Sequence, residues 1–129
     1  MSVTALSGCP WRSYEQILAV HLQVLSSMTT KLLETADAGG RPSPSDVTEV
    51  LYPLRRARQF ARQFESYSDR PSYREFVRSL DFYEKLVNEV DAARADEQRW
   101  QARRAQLAAP GEAFLDQARR TREALERER

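Results

Sequence analysis

The residues in this sequence whose types invite chemistry are one histidine, one cysteine, a file of carboxylates in the second half and a run of arginines in the middle. His21 sits within an apolar stripe, where a desolvated imidazole serves as a general base or a pH switch. Such a role needs a placed partner. Glu15 and Gln16 do not share its face at helical spacing, and no Ser-His-Asp or Cys-His grouping follows from the sequence. A structural histidine at the core edge is the preferred reading, and a small-molecule pocket around His21 is the weakest functional one.

Asp81, Glu84, Glu89, Asp91, Asp96 and Glu97 invite a carboxylate metal site. Di-iron bundles, however, draw a Glu-x-x-His pair from each of two helices, and one histidine cannot supply both. Arg74, Arg78, Lys85, Arg94 and Arg99 interleave with the acids, so solvated, mutually paired side chains are expected. Cys9, the only cysteine, forms no intramolecular disulfide, zinc ribbon or Cys-x-x-Cys pair and fits a reducing compartment. Gly-rich phosphate loops, dinucleotide fingerprints and Gly-x-Ser-x-Gly elbows are absent from the sequence. The expectation is a protein that is not an enzyme and has no catalytic residue, cofactor or metal.

Two features suit binding instead. Arg55, Arg56, Arg58 and Arg62 form the one dense single-sign patch, with no acid between Leu54 and Phe64, and would suit a phosphate backbone or an acidic protein. Carboxylates from a neighbouring helix would neutralise it. Trp100 is a large aromatic in an Ala-rich, charged stretch and needs cover. Either Phe114 or Leu115 supplies that cover within the chain, or Trp100, Leu107, Phe114 and Leu115 form a hot spot for a partner protein or a second copy.

The elements that would position these residues are helices. With 129 residues, 41% apolar and 30% charged, the chain suits one folded domain over residues 1–129. The formal charge of +1 gives no global pull toward nucleic acid or membranes. No basic segment followed by a long apolar run opens the sequence, and no stretch nears the roughly 20 apolar residues of a membrane span. A cytoplasmic protein is expected.

Beyond a flexible leader over 1–10, Tyr14, Leu18, His21, Leu25, Met28 and Leu32 recur at spacings of four and three, predicting a helix over 11–37. Ile17, Leu22, Val24, Leu33 and Ala36 widen its stripe, placing it deep in the fold. Gly39 and Gly40 stop it. A second helix over 45–67 opens with Asp46 and Glu49, and Pro53 predicts a kink or a later start. Ser72 with Glu75 signals a third, over 72–108, whose core ends near Val90 and continues as a thin coiled-coil-like seam of Ala93, Trp100 and Leu107. Pro110 and Gly111 mark a turn before a last helix over 112–127.

The fold class expected is therefore all-α: an antiparallel bundle of three core helices, with a C-terminal helix forming a hairpin with the extended third. Functionally, this points to a protein–protein interaction module such as an adaptor, chaperone or assembly factor, self-associating as a homodimer through helical surfaces. Nucleic-acid binding through the second helix is the alternative, and no membrane role is expected.

Overall fold

The computed structural model describes residues 10–129 and is helical almost throughout, with no strand among them. Helix α1 spans Pro10–Asp37, α2 Pro44–Gln63, α3 Pro71–Ala93, α4 Glu97–Arg103 and α5 Ala108–Arg127. Short 3-10 turns at Glu65–Tyr67 and Arg104–Leu107 connect α2 to α3 and α4 to α5.

Side-chain contacts fix the arrangement. His21 of α1 lies 5.2 Å from Phe60 of α2, ring centre to ring centre, and Tyr14 lies 5.7 Å from Phe64. The Tyr73 and Tyr83 hydroxyls of α3 donate to the Ala61 and Val50 carbonyls of α2. Gln117 of α5 donates to the Glu75 carbonyl of α3, and Tyr83 meets Phe114 edge-on at 5.3 Å. Each pair runs antiparallel. The long helices thus form an antiparallel bundle in which α3 packs most extensively on α5, and α5 also packs on α1.

The hairpin of third and last helices is present, but the extended third helix is not. It ends at Ala93, a turn over Arg94–Asp96 interrupts the helix, and Asp96 caps α4 by accepting from the Arg99 amide at 2.7 Å. The short α4 then carries Trp100 inward rather than along a continued seam. Nor do Pro110 and Gly111 form a turn between helices, since both lie in the first turn of α5. A helix tolerates proline there because the first amides have no intrahelical partner. Gly111 is buried, and a Cβ on it would come within 2.7 Å of the Leu33 methyls, so α1 and α5 approach closely at that point.

Other ends differ in detail. Ser43 caps α2 in a reciprocal box with Asp46, three residues before the expected pair of Asp46 with Glu49, and Pro44 opens the helix. The α-helix runs through Pro53 and stops at Gln63, not 67. Gly39, at φ +87°, ends α1 in the left-handed conformation glycine accepts without a Cβ penalty. Of the leader expected over 1–10, Pro10 is instead the first residue of α1, and residues 1–9 lie outside the described residues.

Candidate interaction face

Trp100, Leu107 and Phe114 belong to the buried core, with Trp100 wholly inaccessible, and Leu115 is half-buried against it. These candidates are thus brought together in the interior of the chain, where they close the bundle rather than present a surface. The Trp100 indole N–H is buried with no hydrogen-bond acceptor, so its contribution is packing.

The four arginines of α2 are split over three directions. Arg58 turns toward α3, where Glu84 and Asp81 accept from it at 2.5 and 3.2 Å. Arg56 donates to the Tyr52 hydroxyl at 3.0 Å on its own helix. Arg55 and Arg62 stay exposed and take no ion-pair partner among the described residues. The basic patch is therefore thinner than the sequence suggests. His21 lies half-buried against Phe60 and Phe76, and burial, aided by the Arg56 charge, lowers its pKa below the ordinary histidine value. No three His, Cys, Asp or Glu side chains cluster as metal ligands among the described residues.

A polar network near one end of the bundle has the look of a site but a structural geometry. The Glu128 carboxylate accepts from the Ser72 amide at 2.8 Å and from its hydroxyl at 2.6 Å. Tyr14 Oη lies 2.8 Å from the same hydroxyl. Burial pushes the Tyr14 phenol up to about 12, so it stays protonated. Ser72 is itself buried, and the only histidine pairs with Phe60 instead of with this network. What the network does is cap α3: a carboxylate satisfies an orphan amide where the helix dipole favours negative charge. Arg70 flanks it, its guanidinium 4.7 Å from the Trp11 ring.

The surface feature that sequence reasoning missed is on α1. Among the described residues, the large apolar side chains left exposed are Ile17 (39%), Val20 (59%), Val24 (37%) and Tyr52 (56%). Three of them lie on one flank of α1, at spacings of three and four, and Tyr52 is on the neighbouring α2, hydrogen-bonded to Arg56, whose charge reaches His21 of α1. Ile17 and Val24, more than a third exposed, are therefore not deep core residues. Residues 16–30 contain no Asp, Glu, Lys or Arg in a chain that is 30% charged, and that gap was the available signal. On a solvated helix, the outer face normally carries the charges.

The chain is an all-α helical bundle with an uncharged, partly apolar outer face on its first helix. No protein-family model matches it, and neither a curated protein nor a solved structure gives a significant match. Among the described residues no helix is long and apolar enough to cross a membrane.

Proposed function

We propose that this chain is a non-enzymatic protein–protein interaction module, of the adaptor, chaperone or assembly-factor kind, and that it docks through the outer face of α1 with Tyr52. One observation carries the reading: the exposed Ile17, Val20, Val24 and Tyr52 gather on one side of the bundle, along a helix stretch free of charge. Scattered apolar side chains are ordinary on a surface, but a contiguous group bordered by polar residues marks a contact region. Tyrosine and arginine, present here as the Tyr52–Arg56 pair, are the types enriched at such contacts. The nucleic-acid alternative has less behind it, since Arg58 is already engaged by two carboxylates.

A photo-reactive amino acid at position 20 tests the proposal in cells. It should give a discrete adduct on illumination, lost in V24D, while the same group at the exposed Asn88 gives none. No adduct at position 20, or equal labelling at both sites, overturns it.

A further inference from the structure

His21 sits at the inner edge of the docking face. At ~100° per residue, Ile17 and Val24 stand one turn before and one turn after it, rotated from it by ~40° and ~60° round α1 in the same direction. Both are exposed. On its other side the imidazole ring meets Phe60 of α2 at 5.2 Å and Phe76 of α3 at 6.4 Å. Arg56, whose charge reaches the ring, donates to the Tyr52 hydroxyl at 3.0 Å. His21 is therefore half-buried between the apolar flank of α1 and the Tyr52–Arg56 pair of α2. A partner that touches both Val24 and Tyr52 closes over the part of the imidazole still open to water.

An imidazolium has no anion there to hold it. No Asp or Glu occurs in residues 16–30 of α1 or 50–64 of α2. From α3 the ring meets Phe76, and the adjoining Glu75 is paired with Arg78 at 3.2 Å. Arg56 is the one charged group whose field reaches His21 among the described residues, and it is a cation. Burial first, and then that cation, already press the His21 pKa below the ordinary 6.5. An apolar cover removes more water from the ring, so the docked chain holds fewer protons at His21 than the free one.

We infer that docking on the α1 face is released by acid, because the partner covers His21 only as the neutral imidazole. The inference rests on the docking reading above and adds its control. Docking is full above pH 6.5 and weakens as pH falls below the lowered pKa of the free chain. Because that pKa lies under 6.5, the loss at about pH 5 stays under ~30-fold. A partial further shift on docking gives ~3- to 10-fold.

The photo-adduct at position 20 reads this out. In extracts of the same cells held between about pH 7.5 and about pH 5, its yield should fall ~3- to 10-fold toward the acid end, each variant being scaled to its own yield at the upper end. H21F and H21Q, both checked for folding by circular dichroism across the range, fill the site without a titrating group and should change by less than about 2-fold. The chain has a single histidine, so NMR titration of its ring protons in the free protein is unambiguous. The midpoint should lie below 6.5 and rise in R56Q. A midpoint at or above 6.5, an adduct indifferent to pH, or an equal fall in H21F and H21Q overturns acid release and leaves the docking face standing. No adduct at any pH removes both.

Discussion

The contact between Glu128 and Ser72 makes the most exacting prediction, because it asks one carboxylate to cap a helix more than fifty residues away in sequence. In E128A the Ser72 amide and hydroxyl lose acceptors at 2.8 and 2.6 Å. The Glu128 side chain is only 12% exposed, so water replaces it poorly. A hydrogen bond to a charged group contributes about 1.5–3 kcal/mol, and a carboxylate at a helix start about 0.3–1 kcal/mol. Partial solvent access and the exposed position of Arg70 reduce the sum, leaving ~2–3 kcal/mol. At this chain length that lowers Tm by roughly 6–15 °C. E128Q keeps an acceptor but not the charge and should cost about 1 kcal/mol. Urea unfolding of E128A, S72A and the double variant, followed by far-ultraviolet circular dichroism, gives the coupling between the two residues, expected at ~1–1.5 kcal/mol. An E128A loss below about 0.5 kcal/mol would refute the cap, and strict additivity with S72A would refute the contact to the hydroxyl.

Trp100→Ala should cost about 3–5 kcal/mol in urea unfolding, the usual loss for a fully buried large aromatic. W100F, which keeps a ring and removes the unpaired N–H, should cost less than half of that. Gly111→Leu should destabilise by more than about 2 kcal/mol in thermal melts, because even a Cβ there meets Leu33 at 2.7 Å. In alkali, burial holds the Tyr14 phenol up at about 12 and also raises Tyr83, both from an ordinary 10.0. Unfolded chains ionise first, so stability is full below pH 10 and falls as pH rises toward 12; in Y14F the slope measured by denaturant titration becomes shallower. His21 acts at the other end: its pKa is lowered from 6.5 on folding, so its contribution is intact above that pH and is lost as pH falls below it. H21F should flatten the acid decline in melting temperature.

The core was written in the sequence wherever the 3.6-residue period was strong. Tyr14, Leu18, Leu25 and Leu32 of α1, and Phe76, Leu80, Tyr83 and Val90 of α3, are buried as their spacing requires. The period gave the wrong element between Asp91 and Leu107, where Ala93, Trp100 and Leu107 stand seven apart and are all buried, yet on different elements. The capping aspartate Asp96 followed by Glu97 was the local start signal, and the high helix propensity around it concealed the break. Pro110-Gly111 has the composition of a turn, and only the close approach of Leu33 shows why a glycine stands inside the helix start. The outer face of α1 was hidden for another reason. Periodicity reports that Ile17 and Val24 are apolar, but not whether a neighbouring helix covers them, which depends on how α2 and α5 flank α1.

The dependence of α3 on α5 also bears on how the chain folds during synthesis. A nascent polypeptide that has emerged only as far as Ala93 has made α3 without the helix that covers Tyr83 and donates to the Glu75 carbonyl, and without the carboxylate that caps Ser72. Closing that gap waits for another thirty or so residues to leave the ribosome. Until then an apolar row faces water, a state prone to association with other chains. The bundle therefore closes only once α5 has been made.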